Sequence, residues 1–358
     1  MPCSRTALPL LALLLLLACP LPRARADILV GGIAPGAGVG VRHPVLRFDD
    51  AADGAAAPAA TLGGEASGLL TPMDGAHEAG EGVIYVADYF GQSIRVFPAG
   101  ATGDAAPLRV LDPPLLGQPR TVLPLPAHGE LMVIASNCCI YTWPLQASGN
   151  AAPRLRAISW GGGSGGQTAL NNPASMVYLP ATDEVAVIDY DATSPFAAKV
   201  VFHARTGNGN VAPTRILQGA DTAGAAGLAH DPDSGLLFLL ASRDIGGGDR
   251  AGEIRVFDAA ASGADPALYA IAGPATGLGF ASPRYLSGIT FDARRQRLLV
   301  AVAGNGAPMA NRLLVFDAAA SGDAEPLQEL AGSALGDGSI GRPFLVPADG
   351  LFADGFEG

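Results

Sequence analysis

The sequence predicts an all-β protein: a six-bladed β-propeller whose ring is closed by N- and C-terminal strands sharing one blade. Three observations predict it. First, an aromatic residue closes an apolar run at Phe48, Phe97, Trp143, Phe202, Phe257 and Phe316. The spacing of roughly 46 to 59 residues suits propeller blades and exceeds solenoid coils of about 20 to 30. Second, each aromatic is followed by a glycine (Gly54, Gly103, Gly149, Gly209, Gly263, Gly322) and then a proline (Pro58, Pro107, Pro153, Pro213, Pro266, Pro326). Third, the N-terminal segment 28–56 matches the segment 298–325 element by element.

Taken in order, a unit reads as proline, short strand, loop, two longer strands and the aromatic. Glycine supplies positive φ for a tight loop, and proline opens a strand without costing a needed ladder donor. In the second unit the four strands are expected at 108–111, 121–125, 131–135 and 140–143. Pairs such as IYVAD with IRVF, and LLVAVAG with LLVF, are apolar at nearly every position. That suits strands buried on both faces between neighbouring blades. Four antiparallel strands per repeat make a blade. The N-terminus is expected to supply the last two strands of the sixth blade, and the stretch from Leu327 to about Val346 its first two. Such pairing removes open sheet edges.

The chain has 358 residues, 49% hydrophobic, with 48 Gly and 29 Pro. That composition suits short strands and tight turns and argues against a helical enzyme domain. Residues 1–26 read as a secretory signal: Arg5, an apolar core over 8–18, and Ala24-Arg25-Ala26 before Asp27. The core is too short for a membrane span of about 20 residues. Leu16-Leu17-Ala18-Cys19 offers an alternative, a lipobox anchoring the protein through acylated Cys19. The propeller is expected over 27–346 and a tail over 347–358. The ending Asp354-Gly355-Phe356-Glu357 resembles short C-terminal tails on exported proteins of some gamma-proteobacteria; an edge strand is the plainer reading.

Net charge is −11, and Lys199 is the only lysine. Nucleic acid and anionic membranes both demand a basic face, so both are excluded as partners. After signal removal only Cys138 and Cys139 remain. Adjacent cysteines cannot staple distant segments. They fall in the expected turn between third and fourth strands, as a vicinal disulfide or as two thiols. Gly162-x-Ser164-x-Gly166 has the letters of a hydrolase nucleophile elbow, but poly-glycine surrounds it and no helix pattern follows.

At Val83–Phe97, and again at Gly288–Phe316, the chain resembles NHL-type repeats. Val86-Ala87-Asp88, Gln92, Ile94, Val96 and Phe97 carry the likeness. Val187-Ile188-Asp189 keeps the aspartate, whereas Ala135-Ser136 and Ala241-Ser242 lose it. The resemblance implies a six-bladed propeller of the broad class that includes gluconolactonase-like enzymes. Calcium-dependent lactonases of that class hold their cation with Glu, Asn and Asp side chains around the central channel. The corresponding candidates here are Asp74, Asp231 and Asp292, with His77 and His230 as binding residues and His230 as the base in an enzymatic reading. Asp231-Pro-Asp-Ser-Gly235 is equally ordinary hairpin-turn chemistry. The five histidines show no metal-ligand spacing such as H-E-x-x-H.

The functional expectation is an exported, non-catalytic, monomeric propeller that binds a protein, glycan or small molecule. The alternative is a metal-dependent lactonase using calcium.

Overall fold

The computed structural model describes residues 26–33, 41–135, 138–159, 166–191, 194–246, 249–279, 285–303, 311–336 and 339–347. They form six antiparallel sheets arranged as the blades of a propeller. Blade 1 comprises Pro72–Glu78, Val83–Asp88, Ser93–Pro98 and Arg109–Leu111, from the axis outward. Blades 2 to 5 repeat this order, with innermost strands Pro119–Leu125, Pro173–Leu179, Ala225–Asp231 and Tyr285–Asp292. Blade 6 takes its innermost strand, Phe344–Pro347, from the C-terminal side. Its other three strands, Ala26–Ile33, Val45–Asp49 and Ala60–Leu62, come from the N-terminal side.

The strand frame therefore differs by one from the sequence expectation. The proline-led strand does not open a blade. It closes the preceding one: Ile94 pairs with Leu111 across the edge of blade 1. The chain then crosses over residues 112–118 to the axis. Likewise Gln328–Ala331 is the outermost strand of blade 5, not part of the closing blade. Closure is three strands plus one, with Asp27 opposite Val346 and Leu29 opposite Phe344. Punctuation marks where strands begin, but edge pairing decides to which sheet each belongs.

Five of the aromatics, Phe48, Phe97, Trp143, Phe257 and Phe316, occupy one register position on the third strands, opposite Ile28, Ile84, Leu131, Leu237 and Leu298. In blade 3 that position is taken by His203, opposite Val185, and Phe202 lies one residue before it. All six aromatics are buried. One apolar cluster fills each blade-to-blade interface; Tyr85, Val96, Val133 and Trp143, for example, join blades 1 and 2. The second strands are buried along their length, as in Val83–Asp88 and Glu130–Ala135. A wedge between two neighbours leaves no solvent face, so the runs are continuous rather than alternating.

The six repeat glycines do more than turn the chain. Each forms a parallel bridge to the outermost strand of the preceding blade: Leu62 with Gly103, Leu111 with Gly149, Ile158 with Gly209, Leu217 with Gly263, Ile271 with Gly322 and Leu330 with Gly54. Gly263 donates to Ile216 O at 2.7 Å and accepts from Gln218 N at 2.7 Å. Its φ of +58° is left-handed, and no atom lies within 4 Å of an added Cβ. Glycine is required there by conformation, not by space. The bridges form a belt of hydrogen bonds around the perimeter.

Candidate functional site

The innermost strands line the axis. In blades 1 to 5 each is interrupted near its start by a register shift: Pro72/Asp74, Pro119/Thr121, Pro173/Ser175, Ala225/Gly227 and Leu286/Gly288. A bulge places an extra residue on one strand and re-aims side chains. The extra residues are Met73, Arg120, Ala174, Ala226 and Ser287, and all five line a cavity of about 490 Å³ at this mouth of the channel. Gly341 and Arg342 complete the circuit from the segment leading into the closing strand. Tyr89, Phe90 and Tyr190 supply aromatic walls.

The residues after the bulges knit blade to blade. Asp74 accepts from Val122 N of blade 2 at 3.0 Å and from Gly75 N at 2.9 Å. Thr121 Oγ1 donates to Ala174 O of blade 3 at 3.1 Å. Ser175 Oγ accepts from Leu228 N of blade 4 at 3.2 Å. Arg342 Nε lies 3.0 Å from Asp74 Oδ1, and its backbone N–H donates to Met73 O at 2.9 Å. Burial pushes the Asp74 carboxyl up, opposed by the Arg342 charge and by the two backbone donors.

Arg342 also lines a second cavity of about 360 Å³ further along the axis, with Leu123, Met176, Tyr178, His230 and Phe291. Its side chain thus stands between the two halves of the channel. Gly288 makes room for it: a Cβ there would meet Arg342 Cγ at 2.6 Å.

The three candidate metal ligands do not meet. Asp74 sits at the mouth, paired with Ala87. Asp231 and Asp292 sit at the opposite strand ends, paired with Leu236 and Arg297. Their place in blade 1 is taken by Glu78, four residues and about 13 Å along the strand from Asp74. Each carboxylate already has partners. Asp231 accepts from Asp233 N at 3.0 Å and Ser234 Oγ at 2.6 Å. Asp292 accepts from Arg294 N at 3.2 Å and pairs with Arg297 at 2.9 Å. This is the hairpin-turn chemistry the sequence also allowed. Among the described residues no group of three or more His, Cys, Asp or Glu could hold a metal ion.

His77 and His230 occupy one register position, opposite Ile84 and Leu237, in the facing blades 1 and 4. Burial holds both imidazoles below the ordinary histidine value. His230 lines the lower cavity with Tyr178, well away from the mouth.

The aspartate of the Val-Ala-Asp motif has a local task. Asp88 accepts from Leu70 N at 3.1 Å and Thr71 N at 2.6 Å, and Asp189 from Asn171 N at 2.7 Å and Asn172 N at 2.8 Å. It caps the linker that enters its own blade. Cys138 and Cys139 form a vicinal disulfide. They stand between second and third strands rather than third and fourth, another consequence of the frame. Gly162-x-Ser164 lies outside the described residues, as do residues 1–25 of the expected signal 1–26 and residues 348–358 of the expected tail 347–358.

Two mouth residues escape a reading by residue type: Arg120 and Arg342. For Arg120 the signal is positional. Thr71-Pro-Met-Asp74, Gln118-Pro-Arg-Thr121 and Asn172-Pro-Ala-Ser175 share a pattern of polar, proline, any residue, polar, which marks the bulge in three blades.

Fold and channel together define a six-bladed β-propeller with an open, aromatic- and arginine-lined axial mouth. Among solved structures the chain is similar to one in a nidogen/laminin complex, at 14% identity and a TM-score of 0.57, covering 90% of this chain and 98% of that one. Hydrazine synthase of Kuenenia stuttgartiensis gives a TM-score of 0.49 at 13% identity, covering 76% of this chain and 70% of that one. The first likeness shows the fold alone. No protein-family profile matches, and no curated protein matches.

Proposed function

We propose that this protein is an exported, non-catalytic propeller of NHL-like type that binds a small ligand at the mouth of its axial channel. One observation carries this reading. The bulges of five successive blades each turn their extra residue into one cavity of about 490 Å³. That volume falls within the roughly 300–1,000 Å³ of small-molecule sites. The lining mixes aromatic walls with a few polar groups, as such sites require. A base beside a nucleophile is what catalysis would need. Here the Thr121 and Ser175 hydroxyls are bonded to backbone groups of the next blade.

Export through the signal at 1–26, or anchoring through Cys19, belongs to this proposal, as does a propeller spanning 27–346 with a separate tail. Among the described residues no helix is long and apolar enough to cross a membrane. The test is a screen of small molecules by thermal shift and calorimetry, with Tyr190→Trp narrowing the mouth. Binding lost in that variant at unchanged fold supports the reading. Ligands that bind wild type and variant alike place the site elsewhere.

A further inference from the structure

Resting on the reading of the mouth as a ligand site, we propose that its ligand is a small aromatic carboxylate whose anionic group is received by Arg120. Three charged side chains line the cavity: Asp74, Arg120 and Arg342. Asp74 and Arg342 neutralise each other at 3.0 Å. Arg120 stands apart. Its Nη1 donates to Asn172 Oδ1 at 2.8 Å and reaches Pro173 O at 3.5 Å. Both acceptors are uncharged, and among the described residues no carboxylate pairs with this guanidinium. A guanidinium carries five N–H donors in a rigid fork matched to carboxylate geometry. Asn172 uses one edge of that fork and fixes its orientation.

The balance of charge in the mouth is therefore +1, in a chain whose net charge is −11. A cavity that simply sampled this composition would be acidic. A cation is disfavoured here, and an anion finds a complementary site on a molecule of net negative charge.

The rest of the lining selects the ligand body. Tyr89 and Phe90 meet edge to face at 5.1 Å between centroids. With Tyr190, Met73, Leu286 and Ile340 they make a predominantly apolar wall. Planar rings suit such walls. Burial pushes the Tyr190 phenol up to about 12, so it stays neutral at physiological pH and sets no negative charge beside the anion. Ser287 occupies the bulge position of blade 5, diametrically across the ring from Arg120 in blade 2. It lines the same cavity and provides a hydroxyl for a polar substituent at the ligand's far end.

The experiment uses the mature protein and a panel of aromatic monocarboxylates of one to three rings, each beside its uncharged primary amide. Binding is read by calorimetry and thermal shift at low salt, in wild type, Arg120→Gln and the charge-matched surface control Arg294→Gln. Arg294 is exposed and lies at the far end of the channel strands. The expected result is that acids bind at least tenfold tighter than their amides, that Arg120→Gln removes this preference, and that Arg294→Gln keeps it. Amides binding as tightly as acids, or acids binding equally well to Arg120→Gln, would overturn the carboxylate assignment and leave the mouth as a neutral site. Failure of acids and amides alike, while unrelated compounds bind in a Tyr190-dependent way, would also overturn it. Failure of every compound would instead sink the reading of the mouth as a site.

Discussion

Arg342 Nε lies 3.0 Å from Asp74 Oδ1, joining the residue that leads into the closing strand to the first blade of the ring. The carboxylate is almost fully buried, with 1% of its side chain exposed. The pair does two jobs: it latches the ring where the chain ends meet, and it divides the axial channel.

Removing one partner of a buried pair strands the other charge and costs about 3–5 kcal/mol. Asp74→Ala should therefore lower stability by about 3 kcal/mol in urea unfolding. Asp74→Leu combined with Arg342→Met should recover much of that loss. Equal losses for the single and double variants would show that the latch works through something other than the charge pair.

Opening the divider has a separate readout. Arg342→Ala should merge the cavities of about 490 and 360 Å³ into one continuous channel. A long apolar probe would then protect Tyr178 and His230 from chemical modification, as it would not in wild type. Unchanged protection would place the barrier elsewhere.

The belt glycines sit at positive φ with open space around them. Gly263→Ala should cost about 1–2 kcal/mol, the penalty of a left-handed L-residue. Gly263→Asn should cost less, since asparagine tolerates that region. Unfolding midpoints in urea would rank the two. An alanine as stable as glycine would show that the bridge from Gly263 to Ile216 and Gln218 survives with another backbone geometry.

His203 is 1% exposed, and one ring nitrogen lies 2.9 Å from Thr168 O. Burial lowers its pKa below the ordinary 6.5. The unfolded chain therefore takes up a proton first as pH falls. This contribution to stability is complete above pH 6.5 and is lost as pH falls toward the folded value. His43, His77 and His230 shift the same way. The thermal midpoint should drop between pH 7 and pH 5, and His203→Gln should flatten the drop. Parallel curves for the two proteins would assign the dependence to other groups.

Deleting residues 344–358 removes the innermost strand of blade 6. It exposes the edge of Ala26–Ile33 and strips Phe344 and Val346 from the apolar cluster around Leu29. The shortened protein should lose its single cooperative transition by calorimetry. A sharp transition retained near the original midpoint would show that five blades and a fragment hold the ring.

By itself the sequence determined the repeat, the blade count, the buried aromatics and the joining of the two ends. Those features depend on local rules: glycine at positive φ, proline at a strand start, apolar runs wherever both faces are covered. It also held the turn chemistry of Asp231 and Asp292, which needs only near neighbours in the chain. What tertiary structure decided was which strands share a sheet, because the edge that Arg109–Leu111 joins is chosen by hydrogen bonding, not by punctuation. Tertiary structure also decided the site. Asp74 and Arg342 are 268 residues apart, and Arg120 and Ser287 face each other only because six innermost strands, five of them bulged, converge on one axis. Side-chain direction at a bulge follows from the register of the neighbouring strand, and that register exists only once the ring has closed.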